Sequence, residues 1–209
     1  MKTRTHTRPR SRRGEGEALR GEILDAAERL IVRAGNAGAV SIRAIAAAVG
    51  VTPPAIYLHF PDKDALVFAV CERRFEQFDA TLEAAGATTD DPVESLRRRG
   101  HAYVEFGLEH PEAYRVLFMT ANGAASPPDS AGARAFQHLV DSVQRALDSG
   151  ALRPVDPLVA SMGIWAAVHG LVALLIADPD VPMPDHEELV DHICDTQLRG
   201  LRAENGGIQ

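Results

Sequence analysis

The sequence of 209 residues predicts an all-α protein with a three-helix N-terminal domain and a larger helical C-terminal body. Apolar residues recur at intervals of three and four along most of the chain, which is the spacing of amphipathic helices. Glycine and proline stand between these segments, where helices end. Hydrophobic residues make up 45% of the chain and aromatic residues 5%, a composition typical of a soluble helical protein.

Charge and periodicity divide the chain into four parts. These are a basic arm (1–18), the three-helix domain (19–65), the helical body (66–203) and a polar tail (204–209). The net charge is −7, yet residues 1–63 carry eleven Lys or Arg against six acids, a balance of +5 that leaves −12 for the rest. This asymmetry favours contact between the N-terminal part and a polyanion.

The arm has no apolar periodicity, and two interpretations are open. It is either a flexible solubilising tail or a segment that lies along phosphates or enters a minor groove. Residues 1–20 lack the apolar core of a signal peptide, which predicts a cytoplasmic protein. The arginines that a DNA-binding arm would use are Arg8, Arg10, Arg12 and Arg13.

Two short helices joined by a tight turn follow a bracing helix over residues 19–35. Ser41 is a good N-cap for the first of them, and Gly50 supplies the positive φ that ends it. Thr52 is expected to cap the second, with Pro53 at its first position. This layout is that of a helix-turn-helix, although a helical hairpin without a nucleic-acid role has the same spacing.

Polar side chains around the turn favour DNA binding, because phosphates and base edges could meet them there. From Ser41 the chain reads Ser-Ile-Arg-x-Ile-Ala, then Val-Gly-Val-Thr-x-x-x-Ile-Tyr-x-His-Phe-x-x-Lys-x-x-Leu. This pattern resembles the TetR family of bacterial transcriptional repressors, in register from about Arg20 to Leu66.

The resemblance implies operator DNA as a partner. Arg43 matches a family position that reaches a base edge, where arginine pairs with guanine. The two prolines after Thr52 lack donors and are expected to make apolar contacts, for instance with a thymine methyl. Positions that hold phosphates in the family are matched by Thr52, Tyr57, His59 and Lys63. The full predicted DNA-contacting set is Ser41, Arg43, Thr52, Pro53, Pro54, Tyr57, His59 and Lys63, together with the four arginines of the arm.

Six further helices are predicted in the body, with Asp62 capping the first and Arg97-Arg98-Arg99 forming a solvated face of the second. Residues 120–132 are expected to form a mobile loop and residues 178–184 a proline-stiffened connection. The predicted helices cover residues 62–85, 92–110, 112–119, 133–149, 157–177 and 185–202.

Residues 158–177 contain no Asp, Glu, Lys or Arg, so they are long enough and apolar enough to span a bilayer. A helix buried in a core and an oligomer interface is the favoured alternative, because the segment stands alone and contains Ser161 and His169. The two cysteines, Cys71 and Cys194, are expected to be reduced thiols, although a single disulfide is the other option.

Two segments of the body, Trp165-Ala-Ala-Val-His-Gly-Leu171 and Pro111-Glu-Ala-Tyr-Arg-Val-Leu-Phe118, resemble a TetR subgroup with a Trp-x-x-x-His-Gly signature. Trp165 and His169 are at i and i+4, on one helical face. They are either plain core residues or part of the lining of a largely apolar effector pocket. The predicted pocket residues are Phe78, Tyr103, Phe106, Tyr114, Phe118, Trp165 and His169.

The sequence does not favour an enzyme, a metal protein or a cofactor-dependent protein. It contains no glycine-rich phosphate loop, nucleophile elbow or Cys-x-x-Cys. The group His186, Glu187, Glu188 and His192 lacks the His-Glu-x-x-His spacing of zinc enzymes, and a solvated face explains it better.

The resemblance implies a repressor that binds a palindromic operator as a homodimer and is released by a small apolar effector. The body is then a ligand-binding and dimerisation domain, whose effector shifts the helix over residues 62–85. The alternative is a constitutive or architectural DNA-binding protein without an effector. The last two predicted helices are expected to form the dimer interface through Leu171, Leu174, Leu175, Leu189, Ile193 and Leu198.

Overall fold

The computed structural model describes residues 15–119, 127–177, 182 and 184–203, and within them the chain is helical with no β-strand. The predicted arm up to residue 14, most of the predicted loop at 120–132 and the tail lie outside the described residues. The all-α prediction is confirmed. The helices are α1 (Glu15–Ala34), α2 (Ile42–Val49), α3 (Pro53–Tyr57), α4 (Lys63–Gly86), α5 (Pro92–Glu109), α6 (Pro111–Tyr114), α7 (Ala131–Asp148), α8 (Pro157–Ala177) and α9 (His186–Leu201).

The chain folds as two compact units. Within the described residues, the first unit comprises residues 15–74 and 112–119, and the second comprises residues 75–111, 127–177, 182 and 184–203. The predicted boundary at residue 65 is earlier than this division, because the first turns of α4 pack into the core of the first unit. The segment around α6 also belongs to the first unit rather than to the body, which its place in the sequence does not indicate.

The first unit is built around the meeting point of α1, α2, α3 and the start of α4. Asp62 accepts a hydrogen bond from the Ala65 N–H at 2.7 Å and so caps α4 as predicted. Fully buried aliphatic side chains from all four helices fill the core, and Val116 joins them from the π-helical turn Arg115–Met119 that follows α6. The largest are Ile23, Ile31, Ile45, Ile56 and Leu66.

The second unit is formed mainly by α5, α7, α8 and α9, which contact one another. Ser130 caps α7 and Asp185 caps α9 through side-chain acceptors on the first free N–H groups. The core between these helices contains Val93, Leu96, Val143, Ala146, Leu152, Ala160, Ile164 and Leu198.

Helix α8 is, among the described residues, the one helix that by length and composition could cross a membrane. Part of its surface is buried: 44% of its most apolar window lies inside the protein, and the helix contacts α5, α7 and α9. One such helix is weak evidence for a membrane protein, since the core helix of a soluble protein has the same composition. Its burial therefore favours a core helix over a membrane-spanning helix.

The predicted solvated face of Arg97-Arg98-Arg99 is wrong for Arg99, whereas the side chains of Arg97 and Arg98 are 34% and 39% exposed. Arg99 is 8% exposed and forms an ion pair with Glu83 of α4. Its guanidinium lies over Gly86, where an added Cβ would be 2.3 Å from Arg99 Nε. Arg97 pairs with Glu94 at 2.8 Å and with Asp191 of α9 at 3.0 Å. A helical wheel cannot reveal this, because it shows direction but not the neighbouring helix.

Candidate functional site

The turn between α2 and α3 has the geometry expected for a helix-turn-helix. Ser41 Oγ accepts a hydrogen bond from the Ala44 N–H at 3.2 Å and begins α2. Gly50 has φ 78°, in the left-handed region, and its N–H donates to the Ala46 carbonyl at 2.9 Å. This glycine ends α2 and reverses the chain at low steric cost.

Thr52 precedes α3 as predicted, but its side chain makes no capping hydrogen bond. The reason lies in the next three residues. Pro53 and Pro54 have no N–H, and the Ala55 N–H donates instead to the Thr52 carbonyl at 2.9 Å. The Thr52 hydroxyl is therefore exposed at the start of α3 without a capping role.

Most of the predicted DNA-contacting side chains of the first unit are on its surface. Ser41, Arg43, Thr52, Pro54 and Tyr57 are exposed, and Pro53, His59 and Lys63 are half-buried. Tyr57 is 51% exposed at the end of α3, an unusual position for a large aromatic side chain in a monomer.

Leu58, which follows Tyr57, was missed in the sequence and is 84% exposed. Apolar periodicity gives no signal for it, because the residue lies just after the end of α3. An exposed leucine beside an exposed tyrosine presents an apolar contact at the end of the second helix of the turn.

Lys63 has a structural contact that the sequence does not predict. Its Nζ donates to the Gly38 carbonyl at 2.8 Å, in the 3-10 turn Ala37–Ala39 between α1 and α2. The predicted phosphate contact by Lys63 must therefore be shared with this hydrogen bond. An ammonium group has three donors, so the two roles are compatible.

Acidic side chains of α1 are paired with arginines of α4. Arg73 donates to Asp25 at 2.7 Å and also to Glu28, and Arg74 pairs with Glu28. These ion pairs reduce the negative field of the first unit, which lessens its repulsion of a polyanion.

In the second unit, aromatic side chains of three helices, α4, α5 and α8, form one cluster. Phe78 of α4 contacts Tyr103 and Phe106 of α5, with ring centroids 5.2 Å and 5.0 Å apart. On α8, Trp165 and His169 have ring centroids 5.4 Å apart. The structure thus brings together five of the seven predicted pocket residues.

A hydrogen-bonded triad lies within this cluster. Trp165 Nε1 donates to the Tyr103 hydroxyl at 3.2 Å, and the hydroxyl is 3.0 Å from His169 Nδ1. Burial lowers the pKa of His169, which favours the neutral ring at physiological pH. Tyr103 is buried, whereas Trp165 and His169 are half-buried and form the more accessible side of the cluster.

Two predicted pocket residues, Tyr114 and Phe118, belong to the first unit. Their ring centroids are 4.7 Å apart, and Tyr114 is fully buried. Their part in the same lining as Trp165 stays a prediction. Phe136 of α7 was not predicted, although its ring lies 5.7 Å from that of Trp165.

Two family profiles match the chain, one for each part of it. Residues 23–70 match "Bacterial regulatory proteins, tetR family", and residues 96–197 match "Tetracyclin repressor-like, C-terminal domain". The chain belongs to the TetR family. It is thus a DNA-binding transcriptional regulator, and the relatives are regulators rather than enzymes. The narrower Trp-x-x-x-His-Gly subgroup is not named by either profile and stays a prediction.

One relative is itself a named transcriptional regulator. The transcriptional activator FasR of Mycolicibacterium smegmatis is 32% identical over 99 residues, which are 47% of this chain and 45% of that protein. This chain thus matches less than half the length of FasR.

Solved structures share the fold. A protein of unknown function from Rhodococcus sp. RHA1 is 28% identical, with a TM-score of 0.77 over 88% of this chain and 96% of that one. AibR, solved with isovaleryl coenzyme A and operator DNA, is 23% identical, with a TM-score of 0.62 over 85% and 97% of the two chains. At that identity the similarity shows the fold alone.

Three of the six residues predicted for the dimer interface are core residues of the second unit. Leu171, Leu175 and Leu198 are 4%, 8% and 5% exposed within one chain, so they offer little area to a partner. Leu174 is 61% exposed, while Leu189 and Ile193 are half-buried. The prediction is corrected for the three buried leucines, whose side chains point into the protomer.

Both cysteines are free thiols, as favoured from the sequence. Cys71 is half-buried in the first unit and Cys194 is buried in the second. Burial raises the pKa of each thiol to about 11, so both are protonated and unreactive at neutral pH.

Proposed function

We propose that this protein is a cytoplasmic homodimeric repressor that binds a palindromic operator and releases it when a small, largely apolar effector binds. The observation that carries the proposal is the exposed polar surface of the α2–α3 turn. The side chains of this surface are not part of the core of the first unit, which other residues fill. Ser41, Thr52 and His59 contact phosphates, and Lys63 shares its ammonium between a phosphate and Gly38. The arginine arm adds further phosphate contacts, which strengthen binding at low salt.

Arg43 reads a base edge and Leu58 adds an apolar contact. Arg43 is exposed near the start of α2 and has the length to form two hydrogen bonds with guanine. Leu58 and Tyr57 lie at the other end of the turn, where Leu58 packs on a thymine methyl or a sugar. Pro53 and Pro54 cannot donate, so base discrimination depends on Arg43.

The test is binding of Arg43→Ala to the operator and to single-base variants, after the operator has been selected from a random duplex library. We expect the preference for one base pair per half-site to fall by about 1–3 kcal/mol. Arg29→Ala is the matched control, because it removes the same charge from the exposed face of α1. If Arg43→Ala lowers affinity for all variants equally, as Arg29→Ala is expected to do, then Arg43 does not read a base.

A second copy of the chain is expected to bind the exposed face of α8. This face carries large apolar side chains, Leu158, Val159, Met162 and Leu174, with exposed fractions of 45–64%. The exposed Gly163 and Ala166 lie between them and allow a second helix to approach closely. To bind the operator at the same time, the DNA-binding units of the two copies must reach half-sites about 34–36 Å apart, one turn of DNA.

The effector is proposed to bind at the accessible side of the aromatic cluster, against Trp165, His169 and Phe136. These rings are half-buried and uncharged, so they suit an acyl or aromatic group with a hydrogen-bonding atom for His169. Phe78 carries the signal, because it links the cluster to α4, which also begins in the first unit. A hundredfold loss of operator affinity requires a coupling of about 2.7 kcal/mol.

The effector proposal is tested with a panel of short and medium acyl and aromatic acids and their thioesters. Operator release is measured by fluorescence anisotropy of labelled DNA, so the loss of the single tryptophan does not remove the signal. Trp165→Leu should bind operator normally but respond at least tenfold less to the active compound. Phe68→Leu, which changes an exposed aromatic in the first unit, should respond as the wild type does.

Two outcomes would contradict the effector proposal. If no compound changes operator affinity, the constitutive regulator is the better description. If Trp165→Leu responds normally, the effector binds elsewhere. The direction of regulation is tested by transcription in vitro, because the relative FasR is an activator.

A further inference from the structure

A small cluster of possible metal ligands lies in the second unit, apart from both the DNA-binding surface and the aromatic triad. Asp79 and Glu83 are one turn apart on α4, and His138 faces them from α7. Their donor atoms lie within 4.8 Å of one another. His138 Nδ1 is 2.9 Å from Asp79 Oδ2 and 3.9 Å from Glu83 Oε1.

We propose that these three side chains bind one divalent transition-metal ion, of the Zn²⁺, Co²⁺ or Ni²⁺ type. Zinc bonds of about 2.0–2.2 Å in a tetrahedron separate two ligand atoms by about 3.3–3.6 Å. The distances from His138 to Asp79 and to Glu83, 2.9 Å and 3.9 Å, lie on the two sides of this range, so small rotamer changes bring the donors into it. One imidazole with two carboxylates is a ligand set that favours these ions over Mg²⁺ and Ca²⁺.

Access and charge also fit such a site. The side chain of Asp79 is 18% exposed, whereas Glu83 and His138 are 42% and 44% exposed, so a hydrated ion can enter and keep a water as its fourth ligand. Arg99 also binds Glu83 and opposes a cation there. Asp79 and His138 therefore provide the main bonds, and Glu83 completes the site in competition with Arg99.

The site would connect α4 to α7. Asp79 follows Phe78, which belongs to the aromatic cluster, so the metal and the cluster act on the same turn of α4. Metal binding is thus a second signal, besides the proposed effector, that acts on the second unit. It does not depend on the proposed effector, because the ligands of the ion are different residues.

In the experiment, a chelator first removes metal from the untagged full-length protein. The protein is then titrated with Zn²⁺ in a calorimeter, and the bound metal is measured by metal analysis. We expect one Zn²⁺ per chain and a rise in Tm of about 5–10 °C at a free concentration a hundredfold above Kd. His138→Ala and Asp79→Asn should each weaken Zn²⁺ binding about 100-fold. Loss of a residue that only supports a metal ligand already lowers affinity by about 10–100-fold, so loss of a ligand itself should reach the upper end of that range.

Two matched controls separate a site from surface binding. Glu76→Gln removes another carboxylate of α4, one that faces Arg134 of α7, and His192→Ala removes an exposed histidine of α9. Both should bind Zn²⁺ as tightly as the wild type does. Circular dichroism checks that each variant is folded.

Visible absorption of the Co²⁺-loaded wild type gives a measurement that needs no variant. An intense four-coordinate spectrum at one equivalent supports the site, whereas the weak spectrum of hydrated Co²⁺ overturns it. The proposal is also wrong if the wild type binds no Zn²⁺, or if His192→Ala reduces binding as much as His138→Ala does.

Discussion

Gly100 provides a direct test of the packing of α5 against its neighbours. A Cβ added at this position would lie 2.7 Å from Cys194 Sγ and 3.7 Å from Val168 Cγ1. Alanine is more favourable than glycine inside a helix by about 1 kcal/mol, but overpacking a core costs about 1–3 kcal/mol. We therefore expect Gly100→Ala to lower the free energy of unfolding by about 0–2 kcal/mol.

Removal of the sulfur should reverse the sign of this effect. In a Cys194→Ala background the short contact is gone, so Gly100→Ala should raise the free energy of unfolding by about 1 kcal/mol. The coupling between the two sites is then about 1–3 kcal/mol. Gly21→Ala in α1 is the control, because an added Cβ there meets nothing within 4 Å. It should stabilise both backgrounds by about 1 kcal/mol.

The assay is urea denaturation at one fixed protein concentration, since the stability of a dimer depends on concentration. Equal m-values among the variants show that the unfolding transition has not changed character. If Gly100→Ala and Gly21→Ala stabilise the protein equally while Cys194 is present, the Cys194 sulfur moves aside freely. The packing argument would then be refuted.

Three other predictions follow from charge, burial and exposure. Hydrogen bonds from Arg97 and the arginine after it lower the pKa of Glu94 from 4.5 to about 2. Glu94→Gln should therefore be less stable than the wild type at pH 7, and the difference in Tm should disappear as the pH falls from 4.5 to 2. Cys71 and Cys194 should react slowly with iodoacetamide in the native protein and quickly in urea, and fast native labelling would contradict their burial. Leu174→Glu should convert the proposed dimer to monomers in sedimentation, and an intact dimer would exclude this face of α8 as the interface.

The sequence by itself determined most of the local structure. Ser41, Gly50 and Asp62 begin or end helices through hydrogen bonds and backbone angles within a few residues of themselves, so their types and spacing suffice. The same holds for α8, whose predicted and observed bounds agree. The helix-turn-helix motif was recognisable from the sequence because its residues lie in one short segment.

Local reasoning was incomplete where two roles compete for one residue. Thr52 has the side chain of an N-cap, but the two prolines after it have no N–H, and the next N–H, that of Ala55, donates to the Thr52 carbonyl. Lys63 has the charge of a phosphate contact, but a carbonyl 25 residues earlier in the chain accepts one of its hydrogen bonds. The first effect is present in the sequence and was overlooked, whereas the second depends on the fold.

Only the tertiary structure decided which side of an apolar helix faces inward. Leu171, Leu174 and Leu175 lie in an uncharged helix that is apolar on every side, so periodicity does not distinguish them. The positions of α5, α7 and α9 bury the first and third and leave Leu174 exposed. Arg99 was placed in the same way, because its burial depends on Glu83 of another helix. Contacts between residues distant in the chain are set by how the helices pack, and a single sequence contains no direct record of them.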